Sequence, residues 1–298
     1  MFDLERLRVF QAAAETASFT RAAEVMHLTQ PGISKHIAQM EEALGVPLFD
    51  RLGRKVALTH AGEILLEATQ EMMALVETAE QRIHDLTGLR AGRLRLGSSF
   101  PIGLYILPGV LALYRKKYPA VELTLEISTS QEIEAGVLAN RLDVGLISRE
   151  THHPKLSGRQ FMSDELVLII PPDHKWSTKR KVQAHDLLGE TFIVAASGAG
   201  ARAVVEERLQ AKGIHLEKVL DFVNAEGVKR AVEAGLGISI QPRGIVQREI
   251  IAGSLKALRL ADINDEIAYV QIRHKHKHIS HAEQALLALL PSNRTRKK

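Results

Sequence analysis

Residues 18–44 read SFTRAAEVMHLTQPGISKHIAQMEEAL, and they predict two short helices with a tight break between them. The first runs from about Phe19 to Met26, with the Ser18 hydroxyl placed to cap it. The second opens at Thr29, another N-cap residue, and Pro31 falls in the first turn, where no intrahelical donor is needed. Ile33, Ile37, Met40 and Leu44 share one face at helical spacing. Turning by about 100° per residue puts Pro31, Lys35, Ala38 and Gln39 on the opposite face, with Gln30 and Ser34 on the flank. A small, hydrogen-bonding, cationic outer face on a short helix suits the DNA major groove. A solvated amphipathic helix in any small bundle would show the same pattern.

The flanking sequence favours DNA. Gly45–Phe49 ends the helix, and residues 50–58 read as two short extended segments about Gly53, with Arg51, Arg54 and Lys55 around the turn. Such a cationic hairpin, or wing, would lie against phosphates or in the minor groove. Upstream, residues 3–16 form a helix whose inner face is Leu4, Leu7, Phe10, Ala13 and Ala14, completing a three-helix core. Downstream, Thr59 caps a helix that runs to about Thr87. Its stripe of Leu65, Ala68, Met72, Leu75 and Ala79, continued less regularly by Ile83 and Leu86, predicts a coiled-coil-like dimer seam. The alternative is packing on the same subunit. A dimer also suits the reading task, because one helix covers few base pairs and two on a two-fold axis read a palindrome.

After a hinge at Gly88–Gly92, strands alternate with helices. Strands are expected at 93–98, 121–128, 143–147, 165–170, 191–195, 218–223 and 237–241, and helices at 103–117, 131–140, 201–212 and 227–234. A strand after Ile267 and a helix at 281–290 return to the first lobe. That alternation argues parallel sheets in two similar α/β lobes, a hinged clamp whose ligand sits at the strand ends. Those ends carry Ser98-Ser99-Phe100, Ser128-Thr129-Ser130, Ser148-Arg149 and the run Ser197–Arg202. Hydroxyls, glycine amides and helix N-termini suit a small anion, although each serine cluster alone reads equally as helix capping. The candidate effector contacts are Ser98, Ser99, Phe100, Thr129, Ser130, Gly200 and Arg202.

The chain of 298 residues is long enough for two or three cores, and its 45% apolar content marks a globular protein. It has no cysteine, which excludes disulfides and thiolate metal sites. The N-terminus lacks the layout of a signal peptide and no apolar run reaches membrane-spanning length, so a cytoplasmic protein is expected. The net charge of +4 is uneven. Residues 1–58 hold seven Lys/Arg against seven Asp/Glu, so DNA affinity must come from a few placed cations. Residues 59–90 hold six acids against two bases, and the last 28 residues seven bases against one acid. Two motifs point elsewhere. Gly198–Ala203 with Asp221 loosely matches a dinucleotide fingerprint, but its third position is Ala203. His274, His276, His278 and His281 could line one strand face, but the interleaved lysines would repel a metal cation. No catalytic arrangement stands out, and no cofactor or metal is expected.

Residues 4–62 resemble the N-terminal domain of LysR-type transcriptional regulators. The resemblance rests on F-x-x-A-A-E-x-x-S-F-T-x-A-A from Phe10, T-Q-P-x-x-S-K from Thr29, M-E-E-x-L-G-V-x-L-F-x-R from Met40, and T-x-A-G after the wing. It implies an N-terminal all-α winged helix-turn-helix (1–58), a linker and dimerisation helix (59–90), and a periplasmic-binding-protein-like effector domain (91–298). The lobes of that domain would be about 91–162 with 266–298, and about 163–265. It implies that Gln30, Pro31, Ser34 and Lys35 read or frame bases, and that Thr20, Arg21, Thr29, Arg51 and Arg54 contact the backbone. The family usually carries arginine where this chain has Lys35, and a point charge reads guanine less specifically than a bidentate fork. Gly32 replaces the more usual alanine, at a cost of up to about 1 kcal/mol in helix propensity. The implied partners are a double-stranded operator with paired half-sites, a small anionic effector, further copies of the chain in a dimer and tetramer, and RNA polymerase for an activator. The segments 98–103 and 164–174 look like those of regulators of sulfur and carbon-fixation genes. A transport solute-binding protein and a nicotinamide-dependent enzyme are the rival readings. The first ninety residues count against the former, and titration with NAD tests the latter.

Overall fold

The computed structural model describes residues 3–52, 55–85, 92–195, 198–216, 218–275 and 277–291. The chain divides into two compact units, Met1–Ile83 and His84–Lys298. The wing turn at Gly53-Arg54, the hinge before Gly92, Ser197, His276 and the basic tail lie outside the described residues.

The first unit opens with α1 (Leu4–Thr16), α2 (Phe19–Met26) and α3 (Gln30–Leu44). Each start is capped locally. Asp3 accepts from the Arg6 N–H at 2.8 Å, Ser18 from Arg21 at 3.4 Å, and Thr29 from Gly32 at 3.3 Å. Phe10, Ile33, Ile37 and Met40 are fully buried between them, with Ala13 and Ala22 letting the helices approach closely. Two expected core positions lie outside it. Leu4 and Leu44 are 45% and 38% exposed, Leu4 as the first residue of α1 and Leu44 as the last of α3, while Val9 and Ala12 are buried instead. The wing is an antiparallel hairpin, β1 (Phe49–Leu52) with β2 (Lys55–Leu58), and Arg51 faces Val56 in its register. Phe49 anchors the wing on the rings of Phe10 and Phe19, with centroids at 5.5 and 5.3 Å. Glu41 of α3 accepts the Leu48 and Phe49 N–H groups at 2.8 and 3.2 Å, which fixes the angle at which the wing leaves the helix. The long helix α4 (His60–Asp85) follows, started by Thr59, which accepts the Gly62 N–H at 3.1 Å. No described helix is long and apolar enough to cross a membrane.

In the second unit β3 (Gly92–Ser99) leads to α5 (Phe100–Tyr105) and α6 (Leu107–Lys117), then β4 (Val121–Ser128), α7 (Ser130–Leu138) and β5 (Val144–Ile147). The chain crosses on β6 (Leu156–Ile170) to β7 (Lys181–Val182), a 3-10 turn (Ala184–Leu187), β8 (Thr191–Ala195), α8 (Gly200–Gln210) and β9 (Lys218–Phe222). It continues through α9 (Ala225–Glu233), β10 (Ser239–Pro242), α10 (Arg243–Ala252) and β11 (Lys256–Leu260), then returns on β12 (Glu266–His274) to α11 (His281–Leu287). The result is two α/β lobes joined by the crossing strands β6 and β12, which pair from Glu165↔Glu266 to Leu156↔His274. The sheets are mixed, not parallel as expected. β3 runs parallel to β4 and β5, and β8 to β9, but β12 is antiparallel to β5 and β6, and β6 to β10 and β11. A strand that carries the chain back between lobes must run against its neighbours, and local alternation of strand and helix does not reveal it. Residues Leu166–Ile170 are buried on both faces, at the centre of the second lobe.

Further elements differ from expectation, among them the short strand β7, the 3-10 turn and β11, which were not expected. The helix expected at 103–117 is two helices, because Pro108 restarts it in the first turn of α6. The strand β6 begins at Leu156, nine residues before the expected 165. Helix α10 was not expected. It has no side-chain cap of its own, and Asp164 on β6 accepts the Gly244 N–H at 2.9 Å in its place.

Candidate binding cleft and nucleic-acid interface

Helix α3 lies on its apolar residues and presents the rest. Gln30, Pro31, Lys35 and Ala38 are exposed and Ser34 is half-buried, while Thr20, Arg21 and Thr29 are exposed beside them. The Gln30 amide donates to Ser34 Oγ at 3.0 Å, so two polar side chains one turn apart are held as a pair. Arg21 and Lys35 face no carboxylate among the described residues. The backbone of Arg51 is in the wing, and Arg54 lies outside the described residues. The unit therefore displays a polar, cationic ridge that its own fold leaves unused.

In the second unit the N-terminal ends of α5, α7, α8 and α9 converge between the lobes, where Ser99, Phe100, Thr129, Ser130 and Gly200 line a common cleft. Ser99 Oγ and Ser148 Oγ are 2.7 Å apart, and Ser130 Oγ accepts the Ser148 N–H at 3.3 Å, so three buried serines from three strand ends form one network. Thr129 is committed to α7. Its Oγ1 accepts the Glu132 N–H at 3.2 Å while its backbone N–H donates to the Glu132 carboxylate at 3.2 Å, a capping box, and its hydroxyl adds a bond to the same carboxylate at 3.0 Å. Bonds from Ser128 and from the Thr129 backbone and hydroxyl hold the Glu132 carboxyl below the usual carboxylate range. Asn224 caps α9 through the Gly227 N–H at 3.0 Å. Helix α8 has no side-chain cap at Ala199, so its first N–H groups keep their capacity for an acceptor.

The lobes touch at this point. A Cβ on Gly200 would stand 2.5 Å from Ser130 Oγ and 2.9 Å from the Ser148 carbonyl oxygen, so only glycine permits the approach. The Gln131 N–H donates to the Gly198 carbonyl at 3.4 Å, and the Tyr105 hydroxyl to Glu226 at 3.1 Å. The cleft encloses about 30 Å³, room for one or two waters. Metabolite sites span roughly 300–1,000 Å³. The clamp is closed, and a ligand requires it to open.

Two expected contacts lie elsewhere. Ser98 is fully buried and donates to the Ser99 carbonyl at 3.1 Å, because it points away from the cleft on the opposite face of β3 from Ser99. Arg202 bonds Glu206 at 2.7 Å, the Ala195 carbonyl at 2.8 Å and Asp221, so its guanidinium braces α8 against β8 and β9. These acceptors raise its pKa further against the opposing pull of burial. Asn224 and Gln241 line the cleft although sequence reasoning did not single them out, and both sit at strand ends, where the same rule would have found them. The fingerprint at Gly198–Ala203 packs against Thr129 and Ser130, and its acidic partner Asp221 is taken by Arg202. Among the described residues no group of three His, Cys, Asp or Glu side chains could hold a metal ion.

Known proteins share both units. Residues 4–63 match the bacterial regulatory helix-turn-helix protein, lysR family, and residues 87–294 match the LysR substrate binding domain. The transcriptional regulator CbbR of Rhodospirillum rubrum is 32% identical over 96% of this chain and 95% of its own. The regulator CysL of Bacillus subtilis is 30% identical over 85% of each chain. A probable RuBisCO transcriptional regulator of Cyanidioschyzon merolae is 32% identical over 94% of this chain and 95% of its own, so regulators named for RuBisCO, CbbR and CysL are among its relatives, in line with the likeness of segments 98–103 and 164–174. A full-length OxyR from Pseudomonas aeruginosa shares the fold, with a TM-score of 0.75 at 21% identity over 97% of this chain and 94% of that one. With a winged reading helix ahead of a two-lobed clamp, and with relatives that are regulators rather than enzymes, this chain belongs to the LysR family of transcriptional regulators.

Proposed function

We propose that the protein grips paired operator half-sites with two winged units and answers to a small anionic metabolite held between the lobes. The carrying observation is the cleft itself. Uncapped α8 amides and the Ser99–Ser148–Ser130 hydroxyls converge there with no carboxylate lining it, which suits an anion that needs hydrogen-bond donors and no proton transfer. In this reading Ser99, Phe100, Thr129, Ser130 and Gly200 surround the effector, Asn224 and Gln241 join them, and Arg202 acts by bracing α8. Thr20, Arg21, Thr29, Arg51 and Arg54 hold phosphates while Gln30, Pro31, Ser34 and Lys35 face the bases. The division is 1–58 for reading, 59–90 for pairing and 91–298 for sensing, in a cytoplasmic protein.

Pairing runs through α4, where Met72, Leu75 and Ile83 of the expected seam are 37%, 70% and 64% exposed. An apolar stripe of that kind is stabilised by a second copy; a dimer of dimers, and RNA polymerase contact in the case of an activator, extend the same reading. The effector acts only by binding the closed and open clamps unequally. Footprinting on DNA flanking the gene, repeated with sulfate, phosphate and phosphorylated or carboxylated metabolites, tests it. Protection of two half-sites about one helical turn apart, altered by one anion class, is the expected result. A monomer with no preference over random duplex would remove the DNA half of the proposal, and a footprint indifferent to every anion would remove the effector half.

A further inference from the structure

The first lobe contains a second cavity that shares no lining residue with the cleft. It measures about 240 Å³ and lies between β6 (Ser157–Arg159), β12 (Gln271–Arg273), Ile279 and α11, with Val144 of β5 among its walls. Val144, Ile272, Ile279 and Leu287 make most of the wall apolar. Among the polar residues of the wall Glu283 stands out, because it is 2% exposed and its Oε1 has no hydrogen-bond partner. Its carboxylate is not needed to start α11, because Ser280 Oγ caps that helix by accepting the Glu283 N–H at 3.1 Å. It feels the charges of the neighbouring cluster but forms no ion pair with it among the described residues, because Asp143 takes Arg95 at 2.8 Å and Lys277 at 2.7 Å. A buried acceptor left unmet is destabilising, and where such a group lines a cavity a ligand donor can meet it. Arg273 and the exposed Arg159 also line the cavity and supply positive charge.

We infer that this cavity is a second small-molecule site, for a compact hydroxy acid with an apolar body. The hydroxyl donates to Glu283 Oε1, the body fills the space between β6, β12 and α11, and the carboxylate reaches Arg159 or Arg273. The volume lies just below the usual range for metabolite sites and fits one aromatic ring with a short arm. A site built around a buried acceptor discriminates strongly against an analogue that lacks the hydroxyl.

Calorimetric titration of the full chain with 4-hydroxyphenylacetate, and with phenylacetate as its deoxy counterpart, tests the inference. The expected result is saturable binding of the first, at least tenfold weaker binding of the second, and at least a tenfold loss in Glu283→Leu, whose side chain cannot accept. Gly200→Ala, which perturbs only the cleft, leaves the binding of 4-hydroxyphenylacetate unchanged. Equal affinity for the two acids overturns the inference on the native chain alone, whatever the stability of the Glu283 variant. Undiminished binding by Glu283→Leu, loss of binding in Gly200→Ala, or no binding at millimolar concentration overturns it equally.

Discussion

The ridge on α3 and the cleft between the lobes solve opposite problems. The ridge shows its side chains to solvent and binds them to one another only once, through Gln30 and Ser34. The cleft ties nearly every polar group into the fold: Ser99 to Ser148, Ser130 to the Ser148 N–H, Thr129 to Glu132, Asn224 to Gly227. A duplex is large and rigid, so a protein can meet it with displayed groups whose spacing one helix sets. A small anion must be surrounded, so the protein holds donors from many chain segments in register. The first kind of site is legible in one stretch of sequence, and the second only in the fold.

The largest effect expected follows from the closeness of the lobes. A methyl at Gly200 meets Ser130 Oγ, which can turn, but also the Ser148 carbonyl, which cannot. Overpacking of that kind costs about 3 kcal/mol when backbone must move. Gly200→Ala is therefore expected to hold the clamp open, to spare a ligand the cost of opening it, and to strengthen effector binding by up to roughly a hundredfold, with the folding of α1–α3 unchanged. Titration of the identified effector against both chains measures it. Equal affinities would mean that closure plays no part in the response.

Next in size is a pH effect in the first lobe. Burial pushes the Glu283 carboxyl up to about 7, with Arg273 and Lys277 pulling it down and Asp143 pushing it up. The folded state therefore binds its proton more tightly than the unfolded chain does. Stability from this group is complete below the ordinary glutamate value, falls as pH rises from about 4.5 to about 7, and is flat above. The stability difference between the native chain and Glu283→Gln should change by about 2 kcal/mol across that window. Parallel urea melts at the two ends of the window suffice to detect it, and a constant difference would contradict the shift.

Much of the fold could be read in advance because its signals are local. Ser18, Thr29 and Thr59 cap the helices they precede, and β4 and β8 span the expected residues. What escaped depends on distant partners. Helix α10 borrows its cap from Asp164, eighty residues earlier. The first half of β6, LSGRQFMS, has exposed residues at Gly158, Arg159 and Gln160, so its strand character comes from pairing with β12 and not from its own alternation. The break at Pro108 was legible and was read through. At the cleft, strand-end hydroxyls pointed to the right place, but Arg202 looked free because its three partners come from α8, β8 and β9.

On the ridge the expected effects are smaller and differ in kind. Lys35→Ala should change which sequence is preferred, by about 1–3 kcal/mol at one position, whereas Arg54→Ala should weaken all DNA about equally and lower the salt slope by about one. Binding to operator and random duplex at several salt concentrations separates the two. Equal losses on every sequence from both changes would erase the distinction between reading and gripping.

The smallest effect is expected at Gly32, in the first turn of α3. Alanine there should gain up to about 1 kcal/mol of helix propensity. Its Cβ, however, would stand 3.3 Å from Thr29 Oγ1, the atom that caps the helix through the Gly32 N–H at 3.3 Å. That contact is tight enough that the hydroxyl must give, and the cap it weakens contributes about 1 kcal/mol. The two terms oppose, so Gly32→Ala alone should change stability by less than about 0.5 kcal/mol. In a Thr29→Ala background the crowding disappears and the full propensity gain should emerge. A double-mutant cycle by chemical denaturation reads the coupling directly. Additive changes would show that the cap tolerates the methyl, leaving the glycine to be explained by the approach of the helix to DNA.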